Sequence, residues 1–170
     1  MNRKKSIDLL NQAVADELHA VHQYMYFHFH LADLGYGPLS ALFKRTAIEE
    51  MLHVELLAER ILFLKGDVLM VPAAAVSKIT DPQKMLVKGA EMEDESAAFY
   101  NKSATESAAN RDSQSKQIFE RLVADEERHF DQYDKQLDHL KKFGDRYLAL
   151  QSMAAAGEPG AGGGETPGTA

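Results

Sequence analysis

The chain contains no cysteine, which removes disulfides, thiolate metal sites and iron–sulfur clusters at once. Any metal it holds must be held by carboxylates and imidazoles. No run of about 18 apolar residues occurs, so no membrane-spanning helix is expected. The opening segment MNRKKSIDLL is basic but has neither an apolar core nor a small-residue cleavage site, and the expected location is the cytoplasm. Lysine and arginine form no run longer than Arg3-Lys4-Lys5 and the formal net charge is -7. Such a chain has little with which to neutralise phosphates, so a general nucleic-acid partner is excluded and cations are the more natural guests.

What is present is 170 residues with 45% hydrophobic content, enough for one domain with a real core. From Ser6 to about Leu34, apolar residues recur at Leu9, Leu10, Val14, Leu18, Val21 and Met25 with the spacing of an amphipathic helix. Gly35-Tyr36-Gly37 stops it. Pro38 suits the first turn of a second helix, predicted from about Leu39 to Lys65 and ended by Gly66. Residues 67–80, DVLMVPAAAVSKIT, have no helical face and read as a long connection. Asp81-Pro82 is a cap and first-turn signal for a third helix reaching about Asn110. After Arg111-Asp112-Ser113 a fourth helix runs to about Phe143, closed by Gly144, and DRYLALQSMAAA is a candidate short fifth. The end, GEPGAGGGETPGTA over 157–170, cannot bury enough apolar surface to hold one shape and is read as a flexible tail to a domain of residues 1–156. The pattern predicts an all-α fold: a ferritin-like four-helix bundle of two antiparallel hairpins joined by a long crossover, plus a short C-terminal fifth helix. Topology of this kind names no activity.

The chemistry is carried by a repeated motif. Glu50 and His53 stand three residues apart on one face of the second helix, and Glu126 and His129 repeat that spacing on the fourth. Glu17 and Glu93 supply single buried-face glutamates on the other two helices. One Glu from each of two helices with Glu-x-x-His from each of the others is the ligand set of carboxylate-bridged dinuclear bundles. Heights agree: Glu93 lies about 18 residues before the turn at Arg111 and Glu126 about 15 after it, a mismatch of roughly 4 to 5 Å. Two divalent ions bring charge that four carboxylates offset, and the two imidazoles favour iron, manganese or zinc over magnesium or calcium. The acids flanking the motifs, Glu49, Asp125 and Glu127, are read as solvated. Two readings of Tyr24 stand: it bonds a ligand carboxylate, or it is an ordinary buried tyrosine. Met85, Met92, Phe99 and Phe119 are read as core.

The runs AVADELHAVHQYMYF, AIEEMLHVELLAERILFLKGD and VADEERHFDQYDKQLDHL resemble the bacterioferritins, over nearly the whole chain up to about residue 152. The resemblance implies that Glu17, Glu50, His53, Glu93, Glu126 and His129 are catalytic metal ligands of a di-iron ferroxidase centre, with Glu50 and Glu126 bridging. It implies oxidation of Fe(II) to Fe(III) by O2 or H2O2 and storage of ferric mineral inside a homo-oligomeric cage of twenty-four subunits, with a ferredoxin-type reductant as redox partner. Met51 lies about 100° around the helix from Glu50 and so faces out of the bundle. In the family the methionine at this place ligates a haem, b-type or related, shared between two subunits; Leu18, Val21, His22, Met25 and Ile48 would line that pocket. The plainer reading makes Met51 a dimer-interface methionine. The chain departs from the family at Arg45, where some members carry a histidine of an additional cavity-wall iron site, and Glu49 stands for the usual aspartate. That puts the additional site in doubt. His19, His22, His28 and His30 crowd the first helix as further metal contacts or as surface and interface residues.

Two other functions compete. A small dimeric di-iron peroxidase or oxygenase of rubrerythrin-like type would keep the centre, although no Cys-x-x-Cys electron-transfer module is present. A non-enzymatic bundle or haem carrier would keep only the polar network. The fifth-helix segment favours the cage.

Overall fold

The computed structural model describes residues 1–156, which form helices and no strand. In chain order these are α1 (Arg3–Asp33), α2 (Gly37–Phe63), α3 (Pro82–Ala109), α4 (Ser113–Phe143) and α5 (Asp145–Ala156). α1 packs along α2 and α3 along α4, the two hairpins dock on each other, and α5 lies against α2 and α4. The expected bundle, crossover and fifth helix are therefore all present. The tail expected over residues 157–170 lies outside the described residues.

The helix ends follow from local chemistry. Asn2 caps α1 by accepting from Lys5 N at 3.3 Å, and Asp81 caps α3 by accepting from Lys84 N at 2.8 Å, with Pro82 in the first turn. α1 ends in a Schellman motif in which Gly35 takes φ +79° and Tyr36 N donates to Leu31 O at 2.8 Å. The same motif ends α2 and α3, but there the left-handed residues are Lys65 and Arg111, at φ 63° and 58°. Gly66 is the residue after the turn. Its missing side chain makes room for Ile7, since a Cβ would come within 2.9 Å of that residue's atoms.

The crossover is strapped to α1 by two amide clamps. Asn11 donates to Asp67 O at 3.0 Å and accepts from Leu69 N at 2.9 Å. Gln23 donates to Ser77 O at 3.0 Å and accepts from Ser77 N at 2.7 Å. Each side-chain amide thus satisfies backbone that has no ladder of its own.

The core is divided along the bundle. One cluster holds Tyr24, Phe27, Leu31, Phe43, Met85 and Tyr133, with Met92 at its edge. The other holds Leu10, Val14, Leu57, Ile61, Tyr100 and Phe119, with Phe99 half-buried against it. Glu17, Glu50, His53, Glu93, Glu126 and His129 are buried and belong to neither.

The hairpins are also pinned by a buried ion pair. Arg60 of α2 donates to Asp112 Oδ1 at 2.5 Å and to Ser115 Oγ at 3.1 Å, while Asp112 caps α4 through Ser115 N at 3.2 Å. Asp112→Ala should cost about 3 kcal/mol, because it strands a largely buried guanidinium and removes a cap. The exposed cap lost in Asp81→Ala should cost about 1 kcal/mol. Urea unfolding of the metal-free protein measures the difference.

Candidate metal centre

The two Glu-x-x-His faces meet across the docked hairpins. His53 Nδ1 lies 2.8 Å from Glu50 Oε2, 3.2 Å from Glu17 Oε1 and 3.3 Å from Glu126 Oε1. His129 Nδ1 lies 3.0 Å from Glu50 Oε1, 3.4 Å from Glu126 Oε2 and 3.6 Å from Glu93 Oε2. One donor atom from each of Glu17, Glu50, His53 and Glu126 falls within 4.8 Å of the others, and the same holds for Glu50, Glu93, Glu126 and His129. Glu50 and Glu126 belong to both sets. All six residues singled out in the sequence are therefore brought together.

Proximity here is not hydrogen bonding. Glu50 Oε1 and Oε2, His53 Nδ1, Glu126 Oε1 and His129 Nδ1 are buried with no hydrogen-bond partner. Such atoms are costly to bury unless something satisfies them. Two small divalent cations between the facing sets would do so, and an oxygen-rich donor set with one nitrogen per ion suits ferrous iron.

Protons do part of that work when metal is absent. Burial, reinforced by the charge of Glu50, drives the carboxyls of Glu17 and Glu93 well above the ordinary range. Burial alone would push the imidazoles down, but the surrounding carboxylates win. Glu126, Glu17 and Glu50 raise His53 to about 12, and Glu126, Glu50 and Glu93 raise His129 similarly. Glu126, opposed by its own burial, is held down to about 2 by His129 and His53.

Two phenols orient the outer glutamates. Tyr24 O–H donates to Glu93 Oε1 at 2.5 Å, and Tyr100 O–H donates to Glu17 Oε1. Burial and then the adjacent carboxylate raise both phenols well above their usual value, so they stay donors. The first reading of Tyr24 is thus the correct one. Tyr100 went unread, although its signal was available: it follows Glu93 by seven residues as Tyr24 follows Glu17.

The flanking acids need correcting. Glu127 is exposed, as expected. Glu49 is not merely solvated: its Oε2 accepts from His129 Nε2 at 2.8 Å. Asp125 Oδ2 lies 3.5 Å from His53 Nε2. Each acid sits one residue before a motif glutamate and reaches the histidine of the opposite hairpin. Carboxylates behind ligating imidazoles fix which nitrogen faces the metal.

Outside this cluster, Met51 is 46% exposed; Ile48, Leu52 and His22 are exposed too, and Leu18, Val21 and Met25 are half-buried. Two of the crowded histidines have structural partners: His19 Nδ1 is 3.0 Å from Ala74 O, and His28 Nδ1 is 2.8 Å from Ser40 Oγ. Arg45 is exposed.

The family model for the ferritin-like domain matches residues 7–143. The bacterioferritin of Desulfovibrio desulfuricans is 37% identical over 150 residues, 86% of this chain and 82% of that protein. The bacterioferritin of Brucella melitensis is 34% identical over 154 residues, 91% of this chain and 96% of that protein. The X-ray structure of the D. desulfuricans bacterioferritin, described with its diiron site in different catalytic states, matches with a TM-score of 0.87 at 34% identity, over 99% of this chain and 96% of that one.

The electrostatics make a measurable demand. Burial drives the carboxyls of Glu17 and Glu93 well above their ordinary range, and the surrounding carboxylates raise His53 and His129, so all four hold protons more tightly in the metal-free protein than they would in water. Ligation needs the deprotonated forms, so loading two divalent ions should release protons, and affinity should fall as the pH is lowered. Anaerobic pH-stat titration with Zn(II) or Fe(II) counts them.

Proposed function

Since the chain belongs to the bacterioferritins, within the ferritin-like fold, we propose that it oxidises Fe(II) to Fe(III) at the centre formed by Glu17, Glu50, His53, Glu93, Glu126 and His129, and stores the ferric product in a closed shell of its own copies. The observation that carries this reading is the set of buried, inward-turned atoms without partners, converging as two overlapping donor sets. In this reading two ferrous ions are the substrate. Glu50 and Glu126 bridge them, Glu17 and His53 complete one set, and Glu93 and His129 the other. Tyr24 holds Oε1 of Glu93 and leaves Oε2 facing His129, whereas Tyr100 holds the same Glu17 oxygen, Oε1, that faces His53.

Each ferrous ion yields one electron, so a loaded centre reduces O2 to H2O2, or H2O2 to water, with uptake of protons. The carboxylates offset the rising positive charge on oxidation, which favours the ferric product. Exposed Phe29, Leu62 and Phe63 leave apolar surface that a lone subunit would have little reason to show, and α5 adds a further surface. Both support a shell of twenty-four copies over the dimeric peroxidase. With 18.9 kDa chains, the native particle should be roughly 450 kDa rather than about 38 kDa. No described helix is long and apolar enough to cross a membrane, and the proposed place of action is the cytoplasm, with a ferredoxin-type reductant returning electrons to the stored iron.

Haem is the second proposed group. Met51 offers an exposed thioether on the outward face of α2, near exposed Ile48 and Leu52 on the same helix; this donor and its surroundings fit a haem of b-type or related kind, which a second copy's Met51 would help to hold. Bound there, haem supplies one-electron redox chemistry. Met51→Leu should abolish the bis-thioether absorption spectrum while keeping particle size and first-turnover iron oxidation; stoichiometric haem with an unchanged spectrum would sink this assignment.

Bridging and terminal ligands should differ. Glu126→Ala should nearly eliminate the fast oxidation of the first two ferrous ions per chain, whereas Glu17→Ala should leave a slower phase, because one donor set survives. Stopped-flow oxidation distinguishes them, and a fast phase that survives Glu126→Ala would place oxidation elsewhere.

A further inference from the structure

One arginine outside the six residues touches the support of both histidines. Arg128 Nη2 donates to Glu49 Oε2 at 2.6 Å and to Asp125 Oδ1 at 3.1 Å. Glu49 then accepts from His129 Nε2 at 2.8 Å, and the other oxygen of Asp125 lies 3.5 Å from His53 Nε2. The contacts form a continuous chain from His53 through Asp125, Arg128 and Glu49 to His129.

We propose that Arg128 is a positioning residue for the metal centre: it braces Glu49 and Asp125 together so that both imidazoles present Nδ1 to the interior. This deepens the metal-centre reading and rests on it. Three features of the geometry carry the brace. The two carboxylates come from facing helices, α2 and α4, and stand at the same edge of the site, so without a cation between them they repel and swing toward solvent. Their side chains are partly exposed, 37% for Glu49 and 27% for Asp125, so burial alone does not hold them. The support is also one-sided: Arg128 precedes His129, while the equivalent position before His53 is Leu52, which carries no charge. One guanidinium therefore serves two histidines.

The competing view is that Arg128 makes ordinary surface ion pairs, 45% exposed and worth little. Titration of the metal-free full-length chain with Co(II), following its visible absorption, separates the two. The unmodified chain should take up two Co(II). Arg128→Ala should weaken binding about 10- to 100-fold, the usual cost of losing outer support to a ligating histidine, and should change the band shape. Arg128→Lys should recover most of the loss, because the bridge uses a single nitrogen that an ammonium can replace. Changing both acids, Glu49→Gln with Asp125→Asn, should weaken binding as much as Arg128→Ala does, and adding Arg128→Ala to that pair should cost nothing more. Unaltered affinity and spectrum in Arg128→Ala would overturn the brace. So would a loss that Arg128→Lys leaves untouched, or one that persists in full on the doubly changed background. Failure of the unmodified chain to bind two Co(II) would overturn the metal-centre reading itself, and the brace with it.

Discussion

Four carboxylates and two imidazoles share the dry middle of a helical bundle, and the rest of the molecule is arranged around that burial. Ionised and unpaired, such a cluster would drive the helices apart. The structure answers with raised proton affinity at Glu17, Glu93 and both imidazoles, phenol O–H groups on the outer glutamates, and apolar clusters above and below. The clusters seal the layer from water at either end. That raises the cost of leaving the donor atoms unsatisfied, and so the affinity for whatever cation satisfies them.

The scaffold outside the layer sets its height. Schellman turns end three helices, the Arg60–Asp112 pair pins α2 to the start of α4, and the Asn11 and Gln23 clamps lay the crossover along α1. Helix rise converts these into register, since about 1.5 Å of travel accompanies each residue. Gly89 contributes at closer range: a Cβ there would meet Tyr133 at 3.1 Å and Phe43 at 3.2 Å, so the absence of a side chain lets the aromatic layer close beneath the centre.

Most of this was legible in the sequence for one reason, which is that the motifs occur twice. A single Glu-x-x-His on a helix says little, but Glu50/His53 and Glu126/His129 with Glu17 and Glu93 leave few other arrangements. Helix ends marked by Gly35, Gly144 and Asp81-Pro82 were equally plain. Lys65 and Arg111 were harder, because a left-handed residue that is not glycine has no signature in composition. Glu49 and Asp125 escaped for a different reason. Helical periodicity describes which face of its own helix a residue occupies, and an acid on the flank looks solvated until the neighbouring helix is placed. The repeat itself held the clue, since an acid precedes the motif glutamate in both hairpins.

The two donor sets are divided unevenly between the hairpins, and under the proposed function that division bears on electron count. The first hairpin supplies Glu17, Glu50 and His53 and borrows only Glu126; the second supplies Glu93, Glu126 and His129 and borrows only Glu50. Each hairpin is therefore most of a mononuclear site, one glutamate short. A lone hairpin could offer a single ion, and with it one-electron chemistry. Exchange of one glutamate in each direction joins two such halves into one dinuclear site, so under the proposed function the paired electrons would come from the docking of the hairpins and from neither of them alone.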